Sequence, residues 1–338
     1  MNRILIILLL LAGLQASCQS TRTLQKTVFH SLVFYNVENL FDTINDATTN
    51  DEEFLPNARV AWNTERYNRK LSNIARVFAS IDSTNFPHLI GLAEVENRAV
   101  LEDLIRQPHI AAAKYDIIHL SDDDPRGIEV AMLYRTEHFK PLIYNGIDFQ
   151  DSVPERHILY AALLNGHSDT LHVFVNHWKS RGGGQEATAP SRMAAAQALR
   201  NAIDLLMAAK PHAFVVVMGD FNDNPTDESI TKHLKALAPE QALRQPAALV
   251  NLSAEAYAAG HGTLYFDGWH FFDQMMVSQS LWQGKRLRVK SFEVFSQPWM
   301  LYNDSRGIAR PNRTMSGSRY FGGYSDHLPV VLKLQRVR

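Results

Sequence analysis

The segment VVVMGDFNDNP, residues 215–225, connects a strongly apolar run to a polar loop in a single step. The apolar run predicts a buried strand, and Gly219 follows as the residue that lets the chain turn. Residues two apart in an extended chain share a face, so Asp220 and Asn222 are predicted to point the same way. The bulky Phe221 between them is predicted to point into the core. An acid and an amide presented together at the end of a rigid strand indicate a binding or catalytic loop.

The composition is that of a globular protein with a large core. The 338 residues are 46% hydrophobic, and 34 Lys and Arg residues nearly balance 35 Asp and Glu residues. This balance argues against a disordered chain and against a strong global attraction to nucleic acid. Cys18 is the only cysteine, so no internal disulfide can form and stability must come from core packing.

The N-terminus has the pattern of an export signal. Arg3 precedes an unbroken apolar run, Ile4–Leu14, which is too short to span a bilayer. We interpret residues 1–17 as a signal peptide and Cys18 as a lipidation site, because this cysteine is unique and small residues precede it. Cleavage and secretion without a lipid is the alternative. We therefore expect an exported protein, either secreted or an envelope lipoprotein (periplasmic or attached to the outer membrane), with residues 18–27 as a tether.

Residues 28–338 are predicted to form one domain. Apolar residues recur with helical spacing at Tyr67, Leu71, Ile74, Phe78 and Ile81. An alanine-rich helix is predicted from Pro190 to about Ala209, and another is predicted to begin near Thr226. Several strand-like segments follow one another without an intervening helix. This order predicts an α/β fold in which two mixed β-sheets pack face to face with helices outside.

Polar side chains interrupt the apolar runs where the predicted strands end or begin. They are Asn36, Glu94, His177, Asp220, Asn222, Asp273, Asp326 and His327. Strand ends cluster in space, so these residues are expected on one rim, where unpartnered like charges are costly. A divalent cation and a phosphate offset that cost, and oxygen ligands suit a hard ion such as Mg²⁺ or Mn²⁺. Taken singly, each residue also fits a cap, an Asx-turn or a hydrogen-bonded core residue.

The motifs around these residues resemble those of a known family. FYNVENLFD, LAEVEN, NHWKSR, VMGDFND, FDQMMVS and GGYSDHLPV occur in the order typical of the endonuclease/exonuclease/phosphatase superfamily, and the resemblance covers essentially the whole mature chain. Members include deoxyribonuclease I, abasic-site endonucleases, sphingomyelinases and inositol-phosphate phosphatases. The resemblance is to the deoxyribonuclease I-like members, in a bacterial secreted or lipoprotein branch. It implies a four-layer α/β sandwich and hydrolysis of a phosphate ester by in-line attack of water.

The resemblance also implies a metal site and an acid–amide pair. Glu94 is similar to the principal Mg²⁺ ligand of the family, with Asn36 beside it and Asp326 completing the shell. Asp220 resembles the residue that orients or deprotonates the attacking water. Asn222 resembles the donor to a non-bridging phosphate oxygen, where negative charge grows during the reaction.

Two histidines complete the implied catalytic set. His327, oriented by Asp273, resembles the cation or acid on the phosphate side. His177 resembles the second histidine of the deoxyribonuclease-like branch. Its carboxylate partner stays open at this point, with Glu129 as one candidate.

Four further residues are candidates for substrate binding. Lys179 and Arg181 follow His177 on a glycine-rich loop, and Arg319 and Tyr320 precede the Asp326–His327 pair. Together with the basic run before them they suggest a grip on a nucleic-acid backbone and a platform for a base. A solvated basic surface is the alternative interpretation.

We therefore interpret the chain as a monomeric, divalent-metal-dependent nuclease that cleaves DNA or RNA. A phospholipid or sugar-phosphate phosphodiesterase or phosphatase of the same superfamily is the alternative, and lipidation supplies its contact with a membrane. A catalytically inactive surface-binding module is a third interpretation. The full set of acids, amides and histidines argues against it, because a binding module does not need them all.

Overall fold

A computed structural model describes residues 29–122, 124–149 and 157–337. The predicted signal peptide, the Cys18 lipidation site and the tether, which together span residues 1–27, lie outside the described residues. Within the described part of the chain, no helix combines the length and the apolar character needed to cross a membrane.

The strands are short to medium in length and are numbered in chain order. They are β1 (Phe29–Leu40), β2 (Leu89–Val95), β3 (Tyr115–His119), β4 (Glu129–Arg135), β5 (Phe139–Ile147), β6 (Ile158–Asn165), β7 (Thr170–His177), β8 (Phe214–Asp220), β9 (Ala236–Leu237), β10 (Leu249–Asn251), β11 (Leu264–Tyr265), β12 (Trp269–His270), β13 (Asp273–Val277), β14 (Leu287–Val294), β15 (Leu301–Asn303), β16 (Ala309–Pro311), β17 (Met315–Ser316), β18 (Arg319–Tyr320) and β19 (Val330–Arg336).

Helices are fewer than strands, and three of them are long enough to cover a sheet. The helices are α1 (Thr64–Ile81), α2 (Arg98–Ile105), α3 (Gln185–Ala209), α4 (Pro239–Ala242), α5 (Ala254–Ala258) and α6 (Gln279–Trp282). Single helical turns occur at Glu52–Phe54, Ala111–Ala113, Ser229–His233 and Pro298–Met300.

Two large mixed sheets form the centre of the fold. One has six strands in the order β14–β19–β1–β2–β4–β3, and the other has seven in the order β5–β6–β7–β8–β13–β10–β9. Each contains both orientations, since β1 is parallel to β2 but antiparallel to β19, and β7 is parallel to β8 but antiparallel to β6. The predicted α/β fold class with two mixed sheets is therefore confirmed.

Alternation along β1 shows how the layers stack. Leu32 and Phe34 belong to a buried cluster shared with Val173 and Met218 of the seven-stranded sheet, so this face lies between the sheets. The intervening Val33 belongs to a second cluster that includes side chains of α1 and α2. A third cluster joins α3 to the outer face of the seven-stranded sheet. The order helices, sheet, sheet, helix is the four-layer sandwich that the resemblance implied.

The helix predicted from the apolar repeat is confirmed as α1, and the predicted end of α3 near Ala209 is confirmed, but the predicted start of α3 and the helix near Thr226 are wrong. The helical repeat predicted around Ile74 lies within α1, and that residue is fully buried. α3 begins at Gln185 rather than at Pro190, so the proline lies in the second turn, where it lacks a backbone donor. Arg192 bonds the carbonyl of Gln185 with its side chain and supports this turn. The helix expected near Thr226 is only a single turn.

Gly219 serves close packing rather than a turn. It lies within β8, where a Cβ atom would stand 2.5 Å from the carbonyl oxygen of Asn176 on β7. The predicted turning role was therefore wrong, because the constraint comes from the neighbouring strand and not from the backbone angles. Phe221 is fully buried, as predicted, with its ring 4.7 Å from that of Trp178.

The connections bring several strand ends to one edge of the sandwich. His177 at the end of β7 pairs in register with Asp220 at the end of β8, and Asp220 pairs with Asp273 at the start of β13. The six-stranded sheet contributes Glu94 of β2 and the residues before β19. Polar residues distant in sequence thus share one rim.

Candidate active site

Asn36 links two carboxylates that belong to different sheets. Its Nδ2 lies 3.0 Å from Oε1 of Glu94 and 3.0 Å from Oδ2 of Asp220. Its Oδ1 accepts a 3.0 Å hydrogen bond from the backbone N–H of Glu38. Because Asn36 is completely buried, these bonds hold the side chain in one orientation and keep the two acids close together.

The group formed by Asn36, Glu94 and Asp220 is called the centre. The backbone around it adopts unusual φ angles. Glu38, Asn39, Glu94 and Asn222 all have φ between 50° and 62°, in the left-handed region that non-glycine residues rarely occupy. The register between β1 and β2 also shifts just after Asn36. In this conformation the backbone N–H of Asn39 donates to Oε2 of Glu94 over 3.0 Å. The surrounding contacts hold strained segments in place, which is common at functional sites.

Asp220 is a buried acid with a raised proton affinity. Burial raises its pKa to about 7, while the charge of His327 and hydrogen bonds from Asn222 and Asn36 oppose that rise. The backbone N–H of Asn222 donates to Oδ1 over 2.9 Å. A carboxylate with a pKa near neutrality is suited to accept a proton during catalysis.

His327 and Asp273 form a buried acid–histidine pair. Nδ1 of His327 lies 2.7 Å from Oδ2 of Asp273, and Nε2 lies 3.8 Å from Asp220 and 3.9 Å from Asp326. Burial lowers the pKa of His327, but Asp273 and then Asp220 and Asp326 raise it well above its ordinary value. The histidine is therefore a cation near pH 7, with Nε2 directed towards the carboxylates.

His177 lies on the other side of Asp220. Its Nε2 is 3.7 Å from Oδ2 of Asp220 and 3.8 Å from Oε1 of Glu94. Glu129, the candidate partner from the sequence, instead contacts the ring of His119. Among the described residues, Asp220 and Glu94 are thus carboxylates close to His177, and the pairing with Glu129 is wrong because the Glu129 carboxylate is engaged by the ring of His119 and the backbone N–H of Asp122.

Asp326 is held by a charged network that sequence reasoning missed. Arg313 donates to Asp326 over 3.0 Å and to Glu38 over 3.3 Å. Glu38 also accepts from the backbone N–H of Thr314, and the buried Lys70 donates to the hydroxyl of Thr314. Burial raises the pKa of Glu38 to about 7 and lowers that of Lys70 to about 8.

A signal for part of this network was present in the sequence. Lys70 follows Tyr67 by three residues and precedes Ile74 by four, so it lies on the apolar stripe of α1. A lysine on such a stripe needs a buried partner. The identity of that partner could not be read locally, because Thr314 lies 244 residues further along the chain.

Arg181 supports the loop that carries Asn222, and its side chain is mostly buried. Its guanidinium lies 3.0 Å from Asp223 and 2.5 Å from Asp227, and its Nε donates to the carbonyl of Asn222 over 2.8 Å. It also lies over the ring of Phe272. These contacts already compensate its charge, so the structure favours a positioning role over the predicted substrate contact.

Asn222 contacts the backbone directly before Lys179, in the segment that follows β7. Nδ2 of Asn222 donates to the carbonyl of Trp178 over 3.1 Å, which uses one of its two amide hydrogens. Lys179 is partly exposed next to Trp178, and its carbonyl accepts from Arg192.

Arg319 and Tyr320 lie on a small hairpin beside α1. The ring of Tyr320 packs against Trp62 and under the guanidinium of Arg66, and Arg319 stacks on Phe321. Tyr320 is half-buried by these contacts. Neither side chain joins the group around Asp220, so the structure does not bring this predicted pair together with the other site residues.

The donor chemistry of the centre fits a hard divalent cation. Glu94 and Asp326 have partly accessible carboxylates, with side-chain exposures of 19% and 24%. Asp220, Asp273 and His327 offer atoms within 4.8 Å of one another, but Asp273 already engages Nδ1 of the histidine. Glu94, Asn36 and Asp326 are therefore the residues of this group that could hold such a cation. Ligation by Asn36 requires its amide to turn over, because its oxygen accepts from Glu38.

Comparison with known families gives one match that spans the domain. The model of the Endonuclease/Exonuclease/phosphatase family matches residues 31–336. None of the curated proteins matches the chain.

Solved structures with the same fold are distant in sequence. An endonuclease/exonuclease/phosphatase family protein from Bacteroides thetaiotaomicron is 15% identical, with a TM-score of 0.57 over 93% of this chain and 100% of that one. The mannosyl-6-phosphatase of the same species is 17% identical, with a TM-score of 0.56 over 90% and 99%. D. rerio TDP2 complexed with a single-strand DNA product is 15% identical, with a TM-score of 0.53 over 90% and 98%.

Measurement of the His327 pKa tests whether Asp273 and His327 form an acid–histidine pair. In Asp273→Asn we expect this pKa to fall, because the carboxylate that favours the imidazolium is lost; NMR titration of the ring measures it. The charged pair stabilises the wild type below the ordinary pKa of 6.5, and this contribution is lost as the pH rises through the folded-state pKa. Asp267→Asn, which removes the exposed partner of His270, is the matched control. An unchanged His327 titration in Asp273→Asn would contradict the pairing.

Stability measurements separate the two roles considered for Arg181. Arg181→Ala should lower the free energy of unfolding by about 2 kcal/mol or more, because Asp223 and Asp227 lose a partly buried partner. Lys179→Ala, on the same loop, should change stability little, and urea denaturation compares the two. Equal stability of the variants, with only a raised KM for Arg181→Ala, would restore the substrate-binding interpretation.

Proposed function

Because the chain belongs to the endonuclease/exonuclease/phosphatase family, we propose that it is a divalent-metal-dependent hydrolase of phosphate esters. The observation that carries this proposal is the arrangement around Asp220. Asn36 ties this acid to Glu94, and the cationic His327 faces it from the other side. A base, a cation and a site for a metal thus surround one small volume.

The proton affinity of Asp220 supports its role as the base. The acid accepts a proton from water as the water oxygen attacks phosphorus, and the bond from phosphorus to the leaving oxygen breaks. Asn36 and the backbone of Asn222 hold the two carboxylate oxygens in place. The remaining amide hydrogen of Asn222 is available to a non-bridging phosphate oxygen.

His327 supplies positive charge on the phosphate side. Its imidazolium is oriented by Asp273 through Nδ1, which leaves Nε2 as the donor. An N–H donor at this place stabilises negative charge on the phosphate or on the leaving oxygen. Asp273 is completely buried, so it holds the ring while remaining out of contact with the substrate.

We propose Mg²⁺ or Mn²⁺ as the cation. Glu94, Asn36 and Asp326 are the residues that would hold it, and their oxygen donors suit a hard ion. When bound, the ion offsets charge on the phosphate oxygens and lowers the pKa of a bound water.

A cavity beside the centre supports the proposal that the substrate is compact. It has a volume of about 370 Å³ and is lined in part by Glu38, Asn39, Arg59, Arg313 and Ser318. Asn39 also contacts Glu94, and Arg313 contacts Asp326, so the cavity adjoins the proposed metal ligands. Arg59 is exposed and forms no ion pair with any residue that the structure describes, so its charge is available to an anionic group.

The predicted grip on a polynucleotide has less support. Arg286 pairs with Asp169 and lies over Phe214, at the end of the sandwich away from Asp220. Arg310 pairs with Asp304, so its charge is compensated. The basic run therefore does not form one surface beside the centre. The geometry favours a phosphate ester with a compact organic group, such as a sugar phosphate or a nucleotide end.

The nuclease interpretation differs from this proposal in the substrate that the enzyme would hydrolyse. The solved structures similar in fold include a mannosyl-6-phosphatase and a TDP2 complex with a single-strand DNA product. We also propose, from the N-terminal pattern, that the enzyme acts outside the cytoplasm. Extracellular sugar phosphates and released nucleic acid are both substrates suited to that location.

Removal of the metal or of the base tests the hydrolase proposal. EDTA should abolish turnover of bis-p-nitrophenyl phosphate, and Mg²⁺ or Mn²⁺ should restore it. Asp220→Asn should lower kcat at least ~10²-fold, because the proton acceptor is lost. Asp267→Asn serves as the control, since that acid is exposed and pairs with His270 and not with Asp220 or His327. Full activity in chelator, or in Asp220→Asn, would exclude this mechanism.

The same preparation can be tested on a substrate panel containing sugar phosphates, short oligonucleotides, supercoiled plasmid, RNA and sphingomyelin. Hydrolysis of the sugar phosphates or of oligonucleotide ends that is lost in Asp220→Asn supports the compact-substrate proposal. Nicking of plasmid with the same dependence would favour the nuclease instead.

A substitution of Arg59 tests whether the cavity binds the substrate. Arg59→Ala should raise KM about fivefold to tenfold, which corresponds to ~1–1.4 kcal/mol for one exposed charged contact, and should change kcat less. Arg244→Ala is the matched control, since Arg244 is also exposed and lies next to α4. If both variants keep the KM of the wild type for the best substrate of the panel, the leaving group does not use this cavity.

A further inference from the structure

Three histidines meet at the end of the sandwich opposite to the active site. His30 lies at the start of β1, His88 directly before β2, and His138 between β4 and β5. Each offers a ring nitrogen, and these three atoms lie within 4.8 Å of one another. Asn36 is six residues from His30 along β1, or about 20 Å at ~3.3 Å per residue, so this cluster is separate from the catalytic centre.

The three rings are nearly perpendicular to one another and are not stacked. His30 and His88 are inclined at 85°, His30 and His138 at 84°, and His88 and His138 at 85°. Their centroids are 5.6, 6.3 and 4.2 Å apart in the same order. Three mutually perpendicular rings can direct a nitrogen atom towards one ion from different sides.

The hydrogen bonding of His30 indicates an absent partner. This residue is only 3% exposed, and neither of its ring nitrogens has a hydrogen-bond partner among the described residues. A buried polar atom without a partner is costly, and native structures usually supply one. Burial, followed by the charge of His138, lowers the pKa of His30 to about 4, so its ring is neutral near pH 7. A neutral imidazole is the form that binds a metal.

We propose that His30, His88 and His138 form a second metal site, specific for a borderline transition ion of the Zn²⁺ class. Three imidazoles without a carboxylate in the cluster suit Zn²⁺, Ni²⁺ or Cu²⁺ and are unsuited to Mg²⁺. A tetrahedral ion with three protein ligands leaves one position for water. His138 is half-buried, so solvent reaches this side of the cluster.

Ser31 is positioned to support His88 as a ligand. Its hydroxyl lies 3.0 Å from Nδ1 of His88, and its backbone N–H donates to the same atom over 3.1 Å. In the structure the backbone N–H donates to Nδ1, so the ring proton is on Nε2. Ligation through Nε2 requires the other tautomer, in which Nδ1 donates to the hydroxyl oxygen of Ser31 and the hydrogen bond from the backbone N–H is lost. Metal-bound histidines generally donate their second nitrogen to such an acceptor.

Charged residues near the three histidines affect the affinity of the cluster for a metal ion. Burial is the main cause that lowers the pKa of His88 and of His138, and the charge of Arg135 adds to it; that charge also disfavours a bound cation. Its guanidinium is 3.0 Å from Glu137, which offsets part of that charge. The site would join the start of β1, the approach to β2 and the β4–β5 connection, so its role is to stabilise this end of the fold.

Zinc binding by the purified full chain tests this proposal. The protein is stripped with chelator, returned to chelator-free buffer with excess Mg²⁺, and titrated with Zn²⁺ in a calorimeter. We expect the wild type to bind one equivalent that His138→Ala binds at least about 100-fold more weakly, since even loss of a supporting outer partner costs up to about 100-fold. Ser31→Ala should weaken the same equivalent about 10-fold. His109→Ala, an exposed histidine elsewhere, should bind like the wild type.

Two further measurements keep the test decisive. Zn²⁺ should raise the melting temperature of the wild type but not that of His138→Ala, and His138→Asn replaces the alanine variant if the latter does not fold. In Glu94→Gln the imidazole-bound equivalent should persist, which separates this site from the catalytic metal. Identical Zn²⁺ isotherms for the wild type and the folded His138 variant would overturn the proposal.

Discussion

The amide of Asn36 is the contact on which the centre depends, because it joins acids from the two sheets. Its NH₂ group donates to Glu94 of the six-stranded sheet and to Asp220 of the seven-stranded sheet, each over 3.0 Å. Two carboxylates that approach across a buried interface repel unless a donor lies between them. The inter-sheet core, where β1 packs against β8, therefore sets the distance between the acids. The packing between the sheets therefore determines both the hydrophobic core and the distance between the two carboxylates of the candidate site.

Charge compensation around this contact is divided between two networks. On one side, Asp273 holds His327 as a cation that faces Asp220, which places a proton donor and a proton acceptor next to each other. On the other side, Arg313 and Lys70 offset the buried Glu38, and Arg313 also holds Asp326. The first network contacts Asp220, the proposed base, while the second positions Asp326, a proposed metal ligand. Arg181 similarly positions the loop that carries Asn222, because its Nε donates to the carbonyl of that residue.

Much of the fold could be read from local patterns. The apolar stripe of α1 and the apolar runs of β1, β2 and β8 were visible because burial imposes a period of 3.6 residues on helices and a strand-like run on the central strands. Boundaries were less secure, as α3 shows: Pro190 suggested a first turn, yet the helix begins at Gln185. Side-chain bonding by Arg192 supports that start, and nothing in the local sequence reveals such a bond.

The sequence by itself determined the two-sheet α/β architecture and the polar residues that end or begin its strands, because a carboxylate or amide that interrupts an apolar run is visible locally. The tertiary structure alone decided which of these residues meet, and with which partners. In the structure Glu129 contacts His119, and Arg181 pairs with Asp223 and Asp227. Arg286 pairs with Asp169 away from the centre, and Lys70 donates to Thr314. The physical reason is that an ion pair or a close approach depends on distance in space, and residues hundreds of positions apart leave no periodic trace of it along the chain.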